Sequence, residues 1–142
     1  MAQKIIIDAT NTILGRLASA AAKKAMLGMD VIVVNSEKAV VSGNKYSTIA
    51  KYKHKRQRGT PAKGPFFPKR PDMVVRRTIR GMLPHRQGKG RDAFHRVMCH
   101  VGVPAELYGQ KFETIKDANV ADLPTLKYIS IKDLCKQLGA KI

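Results

Sequence analysis

The sequence predicts a single α/β domain built on a small, mostly parallel sheet. Its first 35 residues carry a strand, a helix and a strand in succession, which is the pattern of a parallel crossover unit. A chain of 142 residues is about the size at which one core is usual. Its apolar content of 44% is that of a folded protein.

The crossover unit is predicted from two β-branched runs and the segment between them. Lys4–Asp8 and residues 31–34 are the expected strands, and apolar residues repeat at helical spacing between them. Asn11 or Thr12 is a candidate cap for this helix, and Gly28 is placed to end it. Such connections are almost always right-handed, so a layered α/β core is expected.

A change in composition follows residue 43. Residues 39–41 are predicted as a third strand, and a helix is predicted to start near Asn44 with Tyr46 and Ile49 on one face. That apolar stripe stops at Lys53. Residues 53–70 contain seven Lys and Arg, no acid, and several Gly and Pro, so we expect an irregular basic arm that is ordered only by a partner.

Two further helices are predicted after the arm. Pro71 and Asp72 suit a helix start, and a buried stripe is expected at Val75, Ile79 and Met82. Gly81 and Pro84 mark the end of this helix. A second helix is predicted over 91–100, with these residues facing inward: Ala93, Phe94, Val97, Met98 and Val101.

The C-terminal part contributes a last strand and a short helix. Residues 126–130 have the strand pattern, which brings the predicted sheet to four strands. Ser130 followed by Asp133 resembles a capping box, and Gly139 is placed to close the helix.

The net charge of +17 points to a polyanionic partner. Residues 43–100 hold sixteen Lys and Arg against two acids, so most of the excess lies in this one basic segment. Mixed-sign runs are usually solvated faces, but here the signs are not mixed. An anionic membrane is the weaker alternative, because the longest aliphatic run is only residues 31–34. The N-terminus lacks the apolar stretch of a secretion signal, and Cys99 and Cys135 form no spaced framework, so the cytoplasm is expected.

The basic segment therefore supplies the candidate nucleic-acid contacts. RNA is favoured over DNA because guanidinium forks grip phosphates and an irregular aromatic arm suits folded RNA. For Phe66 and Phe67, stacking on bases and simple anchoring of the arm remain equal alternatives. The candidate RNA-binding residues are Lys45, Lys51, Lys53, Lys55, Arg56, Arg58, Lys63, Phe66, Phe67, Lys69, Arg70, Arg76, Arg77, Arg80, His85, Arg86, Lys89 and Arg91.

Three other kinds of site have weaker support. On the predicted helix, His95 and Cys99 share a face, but a structural zinc site needs four ligands and no second pair exists. A nuclease would use His85 or His95, with few acids nearby as partners. The Gly-containing runs at residues 43–45 and 88–90 lack the spacing of a phosphate-binding loop and are interpreted as turns. We expect no enzyme, metal or cofactor.

Three runs of sequence resemble a known family. They are Asp8-Ala-Thr-Asn-Thr-Ile-Leu-Gly-Arg-Leu-Ala-Ser19, Val33-Val-Asn-Ser-Glu-Lys38 leading to Ser42-Gly-Asn-Lys45, and Arg77-Thr-Ile-Arg-Gly-Met-Leu-Pro-His85. Together they closely resemble the L-thirteen family of large-subunit ribosomal proteins, archaeal branch.

The resemblance implies a three-layer α/β/α body, residence in the large subunit and a part in its early assembly. In the third run it implies rRNA contacts for Arg77 and Arg80 and packing for Met82 and Leu83; Gly81 and Pro84 belong to the same run.

The expected function is thus a non-catalytic constituent of the large (50S) subunit. Its partners would be 23S rRNA and neighbouring ribosomal proteins, with no small-molecule substrate and no membrane. The alternative is a free architectural protein that binds RNA or DNA, or a small nuclease.

Overall fold

The computed structural model describes residues 3–141, which form a mixed α/β fold. The strands are β1 (Lys4–Asp8), β2 (Asp30–Val34), β3 (Val40–Ser42), β4 (Val97–Cys99) and β5 (Tyr128–Ser130). The α-helices are α1 (Leu14–Met26), α2 (Lys45–Gln57), α3 (Pro71–Gly81), α4 (Gly88–His95) and α5 (Ile131–Gln137). No helix within the described range is both long enough and apolar enough to cross a membrane.

The predicted crossover unit is confirmed. β1 and β2 pair in parallel, with Ile5 opposite Val31 and Ile7 opposite Val33, and α1 buries its apolar stripe against them. Gly28 ends the helix with a φ of +93°, a conformation that suits glycine. The predicted cap is wrong: Ile13 occupies the N-cap position, and no side chain caps the helix.

The predicted four-stranded sheet is also wrong. The strands form a three-stranded parallel sheet in the order β1-β2-β4 and a separate antiparallel pair, β3 with β5. The third parallel strand, β4, lies in the segment predicted as the second half of a helix over 91–100. Val97 and Cys99 are buried while Met98 between them is exposed, which is the two-residue period of a strand. Val101, also predicted to face inward, is exposed.

The two faces of the parallel sheet are covered differently. Helices α1, α3 and α4 pack on one face and share its main core. The other face presents Ile6, Ile32 and Val34 to residues 103–112, where the only helical element is a short 3₁₀ turn, Ala105–Leu107. Within residues 3–141 the body is therefore a helical layer on a sheet with an irregular cover, and the three-layer arrangement implied by the resemblance is not found.

Helix α3 begins at Pro71 as predicted and buries Val75 and Ile79 completely. Met82 does not continue this stripe, since it is 46% exposed. The helix ends at Gly81, so the chain leaves the helical period before Met82, and Leu83 is buried in its place. The resemblance implies that Met82 and Leu83 both pack in the core. This is confirmed for Leu83 and wrong for Met82.

Residues 35–96 connect two neighbouring parallel strands, β2 and β4. This long crossover holds β3, α2, α3 and α4. Helix α2 continues to Gln57, so the predicted arm over 53–70 is helical at its start and irregular only from residue 58. The side chain of Asn44 caps α2 by accepting hydrogen bonds from the backbone N–H groups of Tyr46 and Ser47.

The predicted C-terminal strand and capped helix are both confirmed, but the strand is shorter than predicted. β5 begins at Tyr128, and Leu126 before it is exposed. Ser130 Oγ accepts a hydrogen bond of 3.2 Å from the backbone N–H of Asp133 and so caps α5. Gly139 follows the helix with a φ of +96°.

The outer edge of β1 is occupied by the chain around Glu113. The N–H of Asp8 donates to the Glu113 carbonyl at 2.9 Å, and the N–H of Glu113 donates to the Ile6 carbonyl at 2.8 Å. At the opposite side of the sheet, β4 is only three residues long. Neither edge of the parallel sheet therefore offers a long free row of backbone groups.

Residues 88–90 do not form the predicted turn but the first turn of α4. Gly90 lies so close to Pro84 that a Cβ at this position would come within 2.0 Å of the Pro84 carbonyl oxygen. A Cβ on Gly88 would meet nothing within 4 Å. In one helical turn, Gly90 thus has no room for a side chain, whereas Gly88 has open space around it.

We predict that Gly90→Ala lowers the free energy of unfolding by about 1 to 3 kcal/mol, because the added methyl displaces the backbone at Pro84. The matched Gly88→Ala should raise it by up to about 1 kcal/mol through helix propensity alone. Urea denaturation followed by circular dichroism measures both. Equal effects of the two substitutions would contradict the close approach at Gly90.

Candidate nucleic-acid interface

Almost none of the charge in the basic segment, residues 43–100, is neutralised within the protein. Arg70 pairs with Asp72 at 3.0 Å. The only other ion pair within residues 3–141 joins Lys24 to Glu113, outside the segment. The other Lys and Arg of the segment have no carboxylate partner among the described residues, which leaves a surface with strong positive potential.

Helix α2 carries a large part of this charge. It has no fully buried residue, and only Thr48, Ile49 and Tyr52 are half-buried along its length. Lys55 and Arg56 lie in its last turn, where the helix dipole favours cations. Lys45 stands at its first turn, about 15 Å away at 1.5 Å per residue, so the predicted basic residues do not form one compact cluster.

Phe67 is the point where the arm returns to the body of the protein. Its ring packs edge-on against Tyr52 with centroids 5.7 Å apart. Lys55 Nζ lies 4.9 Å from the centre of the Tyr52 ring and 5.7 Å from that of Phe67, and the Arg77 guanidinium lies 5.1 Å from the Phe67 ring. Two cations from different helices therefore share one aromatic pair.

The crowding of these cations shifts their acidity. Partial burial, and then the charges of Lys51 and Arg77, lower the pKa of Lys55 below its usual value. Partial burial and the nearby charge of Arg80 likewise lower the pKa of Arg77. Each shift means that the local environment disfavours the charged form, and an anion placed there would reverse this effect.

Three adjoining cavities surround Phe67, and we call them together the cleft. The first, of about 290 Å³, lies between α2 and α3. The second has about the same volume and the third about 390 Å³. The first is lined by Tyr52, Lys55, Phe67, Arg77, Thr78, Arg80, Gly81 and His85. No carboxylate lines any of the three.

The second and third cavities are more apolar. Phe66, Phe67, Pro68 and Met73 line both of them. Arg76, Arg77, Arg80 and Phe94 complete the second, and Arg56, Pro65, Lys69 and Arg70 complete the third. Arg77 and Arg80 belong to both the first and the second cavity, so they form the boundary between a cationic and an apolar compartment.

The two phenylalanines of the arm occupy different environments. Phe67 is half-buried and joins the main core, so it anchors the arm. Phe66 is 69% exposed and forms part of the wall of the apolar cavities. The two alternatives left open by the sequence thus apply to different residues: Phe67 anchors the arm, and Phe66 is available for a ligand.

Several predicted RNA-binding arginines also have partners inside the protein. Arg76 Nε donates to the Val97 carbonyl at 3.0 Å, and its guanidinium lies 4.2 Å from the centre of the Phe94 ring. Arg76 therefore ties α3 to β4. Arg56 donates to the carbonyl of Leu138 at the end of α5. Arg77 has a single long hydrogen bond of 3.5 Å, to the Phe66 carbonyl.

His85 lies in the loop between α3 and α4. Its Nδ1 is 3.2 Å from the Arg80 carbonyl oxygen and 3.3 Å from that of Leu83. Both oxygens are acceptors, so the geometry favours a proton on Nδ1 and leaves Nε2 without a partner among these contacts. His85 thus lines the cationic cavity in a fixed orientation.

The remaining predicted contacts do not line the cleft. They are exposed on α2, on the arm, in the loop before α4 and on the first half of α4. These residues are Lys51, Lys53, Arg58, Lys63, Arg86, Lys89 and Arg91.

Seven residues that line the cleft are not among the candidate RNA-binding residues. Three of them have large apolar side chains, Tyr52, Met73 and Phe94, and the others are Pro65, Pro68, Thr78 and Gly81. Tyr52 stands between Lys51 and Lys53, and an aromatic residue interleaved with basic ones is a signal that identifies it in retrospect. Phe94 was assigned to the core, and no sequence signal separates its role from packing.

The metal-site alternative assumed that His95 and Cys99 share a helix face. Instead His95 ends α4, while Cys99 lies buried in β4. Burial raises the pKa of Cys99 to about 12, and that of Cys135 also to about 12, so both thiols are protonated at neutral pH. Within residues 3–141, no three His, Cys, Asp or Glu side chains come together to hold a metal ion.

Asp8, the first residue of the first run that resembles the family, stabilises the fold through hydrogen bonds. Asp8 accepts hydrogen bonds from the N–H and hydroxyl of Thr10, at 3.0 and 2.7 Å, and from the Asn35 amide at 3.1 Å. Burial acts to raise the pKa of Asp8, but these hydrogen bonds outweigh it and lower the pKa overall. This carboxylate joins the ends of β1 and β2.

Comparison with known proteins gives one consistent result. The family described as Ribosomal protein L13 matches residues 2–106. The Large ribosomal subunit protein uL13 of Methanosarcina barkeri is 46% identical over 137 residues, covering 96% of this chain and 98% of the relative. The protein of the same name from Archaeoglobus fulgidus is 45% identical, covering 94% of this chain and 86% of the relative.

A third archaeal relative, from Methanocaldococcus jannaschii, is 44% identical and covers 96% of this chain and 98% of its own length. Relatives of this kind are ribosomal proteins and not enzymes. The match spans the strand–helix–strand unit, α2, the cleft and β4. The resemblance seen in the sequence is therefore confirmed: the chain belongs to the ribosomal protein L13 family, and these three relatives are archaeal.

Proposed function

We propose that this chain is a structural, non-catalytic component of the large ribosomal subunit in the cytoplasm. It binds 23S rRNA through its basic segment, contacts neighbouring ribosomal proteins and takes part in early subunit assembly. The names of its relatives support the assignment to the large subunit.

The observation that carries the rRNA contact is the unneutralised charge of the basic segment. Sixteen Lys and Arg lie in residues 43–100, and Arg70 is the only one of these sixteen that forms an ion pair within residues 3–141. Like charges held together destabilise the free protein, and release of counterions from a polyanion would favour the complex. Phosphate groups of RNA are the partner that this surface fits.

The attachment of the segment supports a bracing role. β2 precedes it and β4 follows it in the same sheet, and α3 is packed on the core through Val75 and Ile79. Phosphate contacts made by α3 are therefore rigidly connected to the sheet. A surface of this kind positions RNA by shape and charge rather than by reading base sequence.

We predict that the protein sediments with large subunits on a sucrose gradient in the presence of magnesium. Immunoblotting of the gradient fractions detects it. Treatment of the lysate with ribonuclease before centrifugation should move it to the top of the tube. Protein that stays at the top of an untreated gradient, while large subunits form a clear peak, would contradict the proposal.

We predict a steep dependence of rRNA affinity on salt. If the protein neutralises about 6 to 10 phosphates, its affinity falls about 10³- to 10⁵-fold between about 50 and 200 mM salt. Replacing both Lys51 and Lys53 by Gln should reduce the slope of log affinity against log salt by roughly 1 to 2. Filter binding to a large-subunit rRNA fragment measures this.

The matched control replaces Lys111 and Lys116, two exposed lysines outside the basic segment. Their change to Gln removes the same charge and should leave the slope unaltered. A flat salt response of the wild type would show that the basic segment is not the phosphate contact. Equal slopes for both double variants would show that Lys51 and Lys53 do not contact phosphate.

We predict that the irregular part of the arm is cut by trypsin in the free protein and protected on RNA. The target bonds follow Arg58, Lys63 and Lys69, which are exposed and outside any helix. Lys51 and Lys53 lie within α2 and should be cut more slowly in both states. Mass spectrometry of the fragments locates the cuts, and equal cleavage with and without RNA would argue against contact by the arm.

A further inference from the structure

The cleft around Phe67 combines an apolar cavity with a cationic one, and a surface that binds only phosphates needs no apolar cavity. We propose that it holds one unpaired nucleotide of RNA, with the base in the apolar cavity beside Phe66 and the phosphate in the cationic cavity at Lys55 and Arg77. The inference rests on the proposed function and adds a ligand class for one site within it.

The apolar compartment fits a base. Phe66 is 69% exposed, and with Met73 and Phe94 it gives the cavity apolar walls in the middle of a highly charged surface. The cavity volume of about 290 Å³ is near the lower end of the range, about 300 to 1,000 Å³, for small-ligand sites. Aromatic walls stack on any base, because every base presents a flat π-face.

The adjoining compartment fits a phosphate. Lys55, Arg77 and Arg80 come together there from two helices, and every charged residue in the lining is basic. Arg77 has only a 3.5 Å hydrogen bond to the arm, so its guanidinium retains donors for a phosphate. The half-buried positions of Arg77 and Arg80 strengthen their attraction for an anion compared with fully exposed side chains.

The apolar and cationic cavities adjoin each other, and this arrangement favours an unpaired nucleotide over a paired one. Arg77 and Arg80 line both cavities, so a ligand must place an anion and a flat apolar group on the two sides of one boundary. A nucleotide carries both within one unit. A paired base is stacked on both faces within its helix, so the cleft requires a base that has left its helix, as in a bulge or loop.

The test compares three short RNA hairpins of one sequence. The first is fully paired, the second has one bulged adenosine, and the third has a bulged abasic nucleotide. We expect the wild-type protein to bind the adenosine bulge about tenfold more tightly than either of the others. Fluorescence anisotropy at fixed salt measures the three affinities. The abasic RNA tests the contact without any change to the protein.

Phe66→Ala should abolish this preference, so that the variant binds the adenosine bulge, the abasic bulge and the fully paired RNA with about equal affinity. The matched control is Tyr108→Ala, since Tyr108 is also 69% exposed and does not line the cleft. The control should keep the preference. Circular dichroism melting of both variants establishes that they are folded.

Two results would overturn the cleft proposal while leaving rRNA binding intact. One is equal affinity of the wild type for bulged and fully paired RNA, and the other is a preference that survives in Phe66→Ala. Salt-sensitive binding of all three RNAs in these cases means that the surface makes phosphate contacts only. Failure to bind any RNA would overturn the proposed function as well.

Discussion

The parallel pairing of β2 with β4 is the constraint on which the rest of the structure depends. The chain leaves the end of β2 and must return to the start of β4 beside it, so everything between them is held at both ends by one sheet. Helices α3 and α4 meet this requirement by packing on α1. The basic segment is thus mostly part of the crossover connection, and only α2 and the arm extend beyond the core.

Aromatic rings hold like charges close together in the basic segment without ion pairs. Phe67 and Tyr52 form an apolar surface over which Lys55 and Arg77 lie, and Arg76 lies over Phe94 in the same way. Contact with an aromatic face contributes about 0.5 to 1 kcal/mol at an exposed site. Acidic partners would stabilise the free protein more, but they would compete with an RNA phosphate. Aromatic rings position the cations and leave their charge available.

The local sequence pattern was sufficient to predict a helix, strand or cap when the segment that it packs against or pairs with is close in sequence. β1, α1 and β2, the start of α3 and the cap of α5 were predicted correctly for this reason. Residues 97–99 were assigned to a helix because the strand that pairs with them is far away in sequence. The basic residues of the candidate site could be named from their clustering. The contact of Lys55 with Phe67 could not, since it depends on where the arm returns to α2.

The short and covered edges of the parallel sheet have a consequence for the protein before it reaches its partner. In any period in which the chain is free of a polyanion, open strand edges would be sites at which copies of it could aggregate. The chain at Glu113 closes one edge, and β4 ends after three residues at the other. Mutual repulsion of the basic segments adds to this protection, so the charge that fits a polyanion also keeps the free molecules apart.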